Sequence, residues 1–234
     1  VSQNHIMVGN GAAELIKFLF ENIKGKVGIV RPTFEEYPNR LKPEQIVTYQ
    51  AQCPNFSYSA DDLMTYFADK DIESLLLINP DNPTGNYIPY ADCLRLADWC
   101  QQRNILFVLD ESFIDFSVEH PTFFKDDILE QYSNLVVIKS ISKSYGVPSL
   151  RLGILATSNV DVMTVIRRSV SIWNINSFAE FFLQILGKYE ASYQQAMDEF
   201  RAERARFVDE LHKVSFLRVL PSEANYLLCE VKQP

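Results

Sequence analysis

The sequence predicts an α/β fold in which a mostly parallel sheet is covered by helices on both faces. Strand-like and helix-like runs alternate along most of the 234 residues, which is typical of this class. Two inner runs, 74–78 and 105–109, are almost continuously apolar, as expected of strands that are buried on both faces. The length is enough for one large domain and part of a second.

Hydrophobic periodicity assigns the elements of the first part of the chain in order. Apolar residues at helical spacing predict three helices, at 12–22, 60–68 and 90–103. Short apolar or β-branched runs between turn residues predict six strands, at 26–30, 45–50, 73–78, 105–110, 134–139 and 152–157.

The pattern changes at about residue 176, where long helical spacing begins. Gly187 is expected to divide this region into two helices, and 223–231 reads as a strand. We therefore predict a large ligand-binding domain at 1–175 and part of a smaller α+β domain at 176–234. A lone strand with two helices is a poor domain, and the chain begins just before a motif, so we expect parts to be missing at both ends.

Composition excludes several classes of function. A net charge of −8 argues against nucleic acid as a partner, because phosphate backbones normally require a basic face. The longest apolar runs are too short to span a bilayer, so no membrane association is expected, and the N-terminus has no secretory leader. The four cysteines show neither CxxC nor metal-ligand spacing, which predicts no metal site, core packing for Cys93 and Cys100, and a cytoplasmic setting.

Two glycine-containing turns are candidate ligand loops. Gly-Asn-Gly-Ala-Ala-Glu at 9–14 leads into a helix, where the N–H groups of Ala12 and Ala13 form an anion site; a plain glycine turn is the alternative. A dinucleotide fingerprint fits poorly, because its third glycine falls on Glu14. Asn-Pro-Asp-Asn-Pro-Thr-Gly at 79–85 predicts a rigid turn that displays the Asn82 amide.

Charged and aromatic side chains stand at the ends of two other predicted strands. Asp110 closes a buried strand, where a carboxylate needs a positive or donor partner such as a protonated pyridine nitrogen; capping of the next turn is the alternative. Glu111 should point to the opposite side by strand alternation. Phe34, and equally Tyr37, either stacks on a planar ring or belongs to the core.

The segment Ser-Ile-Ser-Lys-Ser-Tyr-Gly at 140–146 carries the strongest signal. A lysine amine in an apolar, cationic setting forms Schiff bases with aldehydes, which makes Lys143 a candidate nucleophile. The hydroxyls of Ser140 and Ser142 and the guanidinium of Arg151 are suitable donors for a phosphate dianion. The alternative is a solvated lysine in a serine-rich loop.

Together these motifs resemble those of the fold-type I pyridoxal phosphate enzymes, specifically the class I and II aminotransferases. Within them, the sequence is most similar to the branch that contains histidinol-phosphate aminotransferase and threonine-phosphate decarboxylase. The resemblance rests on Asn-Pro-x-Asn-Pro-Thr-Gly and Ser-x-Ser-Lys…Arg-x-Gly and runs from about Gly9 to Leu228. It implies a fold-type I large domain, pyridoxal 5'-phosphate as cofactor, and a homodimer.

The resemblance also implies a role for each candidate residue. Lys143 would form the internal aldimine and shuttle the proton, Asp110 would pair with the pyridine nitrogen, and Asn82 would bind the ring hydroxyl. Phe34 would stack on the ring. The cofactor phosphate would be held by the N–H groups of Ala12 and Ala13, the hydroxyls of Ser140 and Ser142, and Arg151.

The sequence departs from the family pattern at two positions. Phe113 stands where the family often has a tyrosine that donates to the ring hydroxyl, and Ser149 stands where glycine is usual. Asn225 matches a position near the substrate, although a structural turn is an alternative. The family's carboxylate-binding arginine and the tyrosine from the partner subunit lie outside this chain.

Three hypotheses for function follow. The first is an aminotransferase acting on a small amino acid or amino phosphate, in which Lys143 removes the α-proton. The second is a threonine-phosphate-type decarboxylase that uses the same cofactor. The third is a non-catalytic relic of the fold, which gives no physical reason to keep Lys143, Asp110, Asn82 and Arg151 together. A nucleotide-dependent dehydrogenase is a more distant alternative.

Overall fold

The computed structural model of the chain describes residues 1–232. Its main element is a seven-stranded sheet in the order β1-β7-β6-β5-β4-β2-β3. These strands are β1 Ile6–Asn10, β2 Val27–Arg31, β3 Ile46–Gln50, β4 Ser74–Ile78, β5 Leu106–Asp110, β6 Leu135–Ser140 and β7 Leu152–Ala156. The six predicted strands are confirmed to within two residues, whereas β1 was not predicted.

The sheet is parallel except at one edge. Strands β3, β2, β4, β5 and β6 pair in parallel, while β7 runs antiparallel to both of its neighbours, β6 and β1. The prediction of a mostly parallel sheet is therefore confirmed. Because the parallel strands share one direction, the ends of β4, β5 and β6 meet at a single edge, where open α/β sheets bind ligands.

Eight α-helices accompany the strands in residues 1–232. They are α1 Ala12–Phe20, α2 Ala60–Phe67, α3 Tyr90–Gln102, α4 Asp126–Gln131, α5 Ile141–Ser144, α6 Val160–Ser169, α7 Ser177–Ile185 and α8 Glu190–Leu211. The three helices predicted in the first part of the chain, α1 to α3, are confirmed. Helices α4, α5 and α6 are additional, and the first two are too short to produce a clear periodic signal.

Helices cover both faces of the sheet, as predicted. Along β4, Leu75 and Leu77 pack into a cluster with α2 and α3, whereas Leu76 and Ile78 pack into a second cluster with α1 and α6. This alternation follows from the period of two in a strand, and it explains why the inner strands contain no polar face. Cys93 and Cys100 are fully buried in the first cluster, which confirms their predicted role in packing.

The C-terminal part is mainly helical. Gly187 lies in a 3₁₀ turn, Leu186–Tyr189, which separates α7 from α8 and confirms the predicted division. The predicted strand at 223–231 is largely wrong: only β9, Cys229–Val231, is a strand, and it pairs with β8, Leu217–Val219.

Residues 223–228 instead form an irregular segment that is hydrogen-bonded to other loops. Glu223 and Tyr226 bond to the loops after β4 and β5, and only the Leu228 carbonyl continues the pairing with the chain after β8, by accepting the Leu220 N–H. The domain boundary near 175 falls between α6 and α7 and remains a prediction. Within residues 1–232, no helix combines the length and the apolar character needed to cross a bilayer.

Candidate active site

A cavity opens at the carboxyl edge of the sheet, beside the N-terminus of α1. It brings together residues from five separate segments of the chain. Its lining residues are Ala12, Ala13, Ile16, Phe34, Ile78, Asn82, Asp110, Ser112, Phe113, Ser140, Lys143 and Arg151. All predicted site residues except Ser142 are therefore in one place, although they are scattered over more than a hundred positions in sequence.

Asp110 lies at the bottom of this cavity as the last residue of β5, and it is buried. Its Oδ2 accepts a 2.6 Å hydrogen bond from the Tyr37 hydroxyl, and its Oδ1 accepts a 2.7 Å hydrogen bond from the Ser112 N–H. Burial, followed by the neighbouring Asp110 charge, raises the pKa of Tyr37 well above its usual value. Tyr37 therefore remains a neutral donor that fixes the orientation of the carboxylate.

Glu111 points to the other side of the sheet, as strand alternation predicts. Its carboxylate accepts hydrogen bonds from the Thr122 hydroxyl at 2.6 Å and from the Phe123 N–H at 2.7 Å. Burial raises the pKa of Glu111 to about 7. The two adjacent acids thus have separate environments, and only Asp110 faces the cavity.

Lys143 lies in the one-turn helix α5, directly after β6. Part of its side chain is exposed, yet its Nζ lies 4.3 Å from the ring centre of Phe113 and 5.9 Å from that of Phe34. Partial burial lowers the pKa of Lys143, while the negative charge of Asp110 acts in the opposite direction. A lowered pKa increases the unprotonated fraction, which is the form that attacks a carbonyl carbon.

The loop 79–85 is fixed by its own side chains. The Asn79 amide donates to the Ile88 carbonyl and accepts from the Ile88 N–H, each at 2.8 Å. The Thr84 hydroxyl donates to the buried Asp81 carboxylate. Asn82, between these anchors, is half-buried and lines the cavity.

The N-terminus of α1 and Arg151 form the cationic end of the cavity. No side chain caps α1, and Gly11 at the cap position has φ +86°. A Cβ on Gly11 would lie 2.5 Å from Nη2 of Arg151, and a Cβ on Gly153 would lie 2.1 Å from the backbone N of Ala12. Two glycines thus permit the close approach of a guanidinium and a helix N-terminus, which together favour a dianion.

The two serines differ in placement. Ser140 lines the cavity, and its N–H donates to the Ser112 hydroxyl at 2.9 Å. Ser142 is buried and lines only an adjoining cavity, and its hydroxyl lies 3.4 Å from both the N and the O of Leu152. In this geometry Ser142 supports the antiparallel return of β7, and Ser140 is the nearer candidate for a ligand.

The adjoining cavity extends the site toward the C-terminal part. Asn82, Phe113, Lys143 and Arg151 line both cavities, and the second one adds Asn225 and Tyr226. Tyr226 packs edge-on against Phe113 with ring centres 5.0 Å apart. The position of Asn225 beside Lys143 agrees with its expected place near the substrate.

The sequence profile of the family described as aminotransferase class I and II matches residues 2–234. The chain belongs to this family. Its members depend on pyridoxal phosphate, so this chain is a pyridoxal-phosphate enzyme with the fold-type I architecture.

Individual relatives of this aminotransferase-family chain have different activities. It is 32% identical over 97% of its length to "CMP-5'-(3-aminopropyl)phosphonate synthase" from Streptomyces rubellomurinus, and it covers 36% of that protein. It is 33% identical over 98% of its length to threonine-phosphate decarboxylase from Salmonella typhimurium, and it covers 64% of that protein. The chain therefore spans less than two thirds of these relatives.

A solved structure supports the same fold. The crystal structure of histidinol-phosphate aminotransferase from Clostridium acetobutylicum superposes with a TM-score of 0.86 at 28% identity. The match covers 98% of this chain and 68% of the other. The predicted resemblance to the branch with histidinol-phosphate aminotransferase and threonine-phosphate decarboxylase is confirmed.

The residues present fit pyridoxal phosphate. The glycine-lined end between α1 and Arg151 suits a phosphate, the oriented Asp110 carboxylate suits a protonated ring nitrogen, and Lys143 suits an aldehyde. Phe34, which is 39% exposed at the cavity wall, offers a ring face for stacking. No group of three or more His, Cys, Asp or Glu side chains in residues 1–232 is arranged to hold a metal ion.

Two supporting residues were not predicted from the sequence. Tyr37 was an open choice between ring stacking and core, and it is instead the buried donor to Asp110. Ser112 holds both Asp110 and Ser140 and thereby joins the ends of β5 and β6. A polar residue two positions after a strand-terminal aspartate is a usable signal, whereas the contact of Tyr37 spans 73 residues and has none.

Proposed function

We propose that this chain acts on a small amino acid that carries a phosphate or phosphonate group and breaks a bond at its α-carbon. The observation that carries the proposal is the placement of Lys143, Asp110 and Arg151 around one cavity. Its relatives support the substrate class, since they include a phosphonate synthase and a threonine-phosphate decarboxylase.

Each residue has a physical role in this proposal. Bound pyridoxal phosphate supplies an electron-accepting ring for the bond that breaks. Asp110, oriented by Tyr37, holds a proton at the ring nitrogen, and Asn82 donates to the ring hydroxyl. The N–H groups of Ala12 and Ala13, together with Ser140 and Arg151, hold the cofactor phosphate.

Lys143 would hold the cofactor through its aldehyde, and its amine would move a proton at the α-carbon of the substrate. Partial burial lowers the pKa of Lys143, which increases the unprotonated fraction of the amine. Phe113 gives the site an apolar wall on one side of the amine, with the Nζ of Lys143 4.3 Å from the centre of its ring.

We favour decarboxylation as the reaction. The 33% identity with threonine-phosphate decarboxylase supports it, as does the 30% identity with an L-serine phosphate decarboxylase from Campylobacter jejuni. The apolar wall of Phe113 and Tyr226 beside Lys143 disfavours a solvated carboxylate and so assists its loss. Amino transfer is the second candidate, and it is supported by the description of the family and by relatives named histidinol-phosphate aminotransferase.

Product analysis separates the two reactions. The full-length protein is incubated with O-phospho-L-threonine, with and without 2-oxoglutarate, and both carbon dioxide and glutamate are measured. Carbon dioxide release that does not depend on 2-oxoglutarate supports decarboxylation. Glutamate formed in proportion to lost substrate establishes amino transfer instead. If neither product forms, O-phospho-L-serine and a 2-amino phosphonate are tested, and failure with all three overturns the proposed substrate class.

The role of Lys143 has its own test. Borohydride treatment of the holoprotein should fix a cofactor adduct on Lys143, and Lys143→Ala should abolish both the adduct and the visible absorbance. Lys139→Ala is the control, because Lys139 precedes the loop and pairs with Asp115. An adduct that maps to another residue, or no visible absorbance in the wild type, overturns the assignment of Lys143.

We further propose that the full-length protein forms a homodimer in the cytoplasm. Large apolar side chains of Ile172, Trp173 and Phe178 are 93%, 91% and 79% exposed on the described chain, and a second copy is the occupant that the resemblance implies. Light scattering should give twice the chain mass. A monomer that is saturated with cofactor would contradict the proposed dimer. Recovery of the native protein from a secreted fraction would contradict the proposed location.

A further inference from the structure

The segment 222–226 forms a turn that is held on several sides. The Glu223 N–H donates to the Gly85 carbonyl at 3.0 Å, and the Tyr226 hydroxyl donates to the Asp81 carbonyl at 2.7 Å. The Ser222 hydroxyl closes the turn by donating to the Tyr226 carbonyl at 2.6 Å. These bonds attach the turn to the loop after β4 that presents Asn82.

Arg204 of α8 holds the same turn from the opposite side. Its Nη1 donates to the Ala224 carbonyl at 2.8 Å, and its Nη2 pairs with Oε2 of Glu223 at 3.1 Å. Oε2 of Glu223 also accepts the Val118 N–H at 2.9 Å. Only 10% of the Arg204 side chain is exposed, so these bonds form in a partly desolvated place where they are stronger than at the surface.

The turn leaves one polar side chain free to face the site. Ala224 is fully buried, whereas Asn225 is exposed and lines the cavity that contains Lys143 and Arg151. The backbone on both sides of Asn225 is therefore fixed, and its side chain lines the cavity that contains Lys143 as well as a smaller one beside Arg204. A polar side chain on a backbone that its neighbours hold in place is the arrangement expected of a residue that recognises a ligand.

We propose that Arg204, acting through Glu223 and the Ala224 carbonyl, is a positioning residue that fixes Asn225 against the substrate. Among residues 1–232 it forms no hydrogen bond or ion pair with Lys143 or with the cofactor-binding residues, so we expect its loss to act on substrate affinity more than on cofactor affinity. This inference rests on the proposed function, because it assumes that the cavity beside Lys143 admits a phosphorylated amino acid.

The test compares substrate affinity and cofactor affinity in variants of the full-length holoprotein. O-phospho-L-threonine is titrated while the visible absorbance of the bound cofactor is followed, which reports binding without turnover. Arg204→Met should weaken this binding about tenfold, the effect of losing hydrogen bonds from a charged group, and leave cofactor affinity unchanged. Arg206→Met is the matched control, since Arg206 lies on the same helix, is 64% exposed and pairs only with Glu203 among the described residues.

A double-mutant cycle decides whether Arg204 acts through Asn225. Asn225→Ala should also weaken binding, and Arg204→Met should have little further effect in that background, because the two changes remove one interaction. Additive effects overturn the proposal, since they show that Arg204 acts independently of Asn225. Unchanged binding in Arg204→Met overturns it as well.

Two further measurements distinguish failure of the positioning role of Arg204 from failure of the proposed substrate class. Glu223→Gln keeps an acceptor for the Val118 N–H but loses the charge that Arg204 meets, so it should weaken binding less than Arg204→Met does. If Arg204→Met fails to retain cofactor, Glu223→Gln in the same cycle decides the question. If the wild type shows no absorbance response to O-phospho-L-threonine, the substrate class fails. A responding wild type with unaffected variants refutes the positioning role alone.

Discussion

The Tyr37 hydroxyl and the Asp110 carboxylate meet in the protein core at 2.6 Å. Tyr37 is fully buried and is contributed by the segment after β2, and Asp110 closes β5, two strands away in the sheet. The hydroxyl cannot ionise easily because burial and Asp110 both raise its pKa. The pair therefore presets one carboxylate oxygen and leaves the acid facing the cavity in a single orientation.

Replacing Tyr37 by Phe should destabilise the apoprotein by about 1.5–3 kcal/mol, the range for a hydrogen bond to a charged group. Urea unfolding gives this value. Tyr66→Phe is the matched control, because the Tyr66 hydroxyl donates to a neutral carbonyl, that of Thr48, and should cost only about 1 kcal/mol. Equal losses in the two variants would contradict a charged acceptor at Asp110.

Replacing Gly11 by Ala should weaken cofactor binding at least about tenfold. The added Cβ would lie 2.5 Å from Nη2 of Arg151, and the positive φ of Gly11 disfavours any side chain. Cofactor affinity is measured by equilibrium titration. In an Arg151→Met background the same change should cost less, because the displaced guanidinium is gone and only the strain from the positive φ of Gly11 remains. A full additional loss there would show that backbone strain, not Arg151, is responsible.

Replacing Gly153 by Ala should lower the free energy of unfolding by about 1–3 kcal/mol or more, as in other overpacked sites. Its Cβ would lie 2.1 Å from the backbone N of Ala12, and backbone cannot rotate away as a side chain can. Thermal unfolding measures the change. Gly187→Ala is the control, since nothing lies within 4 Å of its added Cβ; a comparable loss in both variants would refute the packing explanation.

Asp81 should make stability depend on pH in a defined direction. Burial raises its pKa from 3.8 to about 7, so between about pH 4 and pH 7 the folded state holds a proton that the unfolded state has released. Stability conferred by this group is greatest near pH 4 and falls as pH rises toward 7, by about 1.4 kcal/mol per pH unit. Above pH 7 both states are ionised and the slope ends.

The Asp81→Asn variant isolates this contribution. The difference in unfolding free energy between wild type and variant should change across pH 4–7 with the slope given above, while other acids, including Glu111, cancel in the subtraction. Glu44→Gln, a change at an exposed carboxyl, is the control. A flat difference across this range would show that the Asp81 carboxyl is not protonated in the folded state.

Local pattern was sufficient to predict the strands of the parallel sheet and the motifs at their ends. Lys143, Asp110, Asn82 and Arg151 each follow a recognisable element, so their convergence could be inferred from the shared edge of the sheet. Long-range contacts could not be inferred. The pairing of β1 with β7 spans most of the chain, and the bond from Tyr37 to Asp110 leaves no periodic trace in either segment.

The misassigned strand at 223–231 has a specific physical cause. Its sequence pattern resembles that of a β-strand, yet the Ser222 hydroxyl bonds to the Ala224 N–H and the Tyr226 carbonyl within the segment, and Glu223 accepts the Val118 N–H. These bonds compete with strand pairing. The phosphate contact of Ser142 stays a prediction. Its hydroxyl lies 3.4 Å from the N and the O of Leu152, and the residue also lines the adjoining cavity.

The antiparallel pairing of β6 with β7 also limits which insertions and deletions this protein can accept during evolution. Ser140 is in register with Gly153, so the intervening excursion leaves and rejoins the sheet at adjacent points, with Lys143 near its start and Arg151 near its end. The length of that excursion sets the separation between an amine and a guanidinium that serve opposite ends of one ligand. Substitutions along this segment leave its length unchanged. A single inserted or deleted residue would change the distance between Lys143 and Arg151.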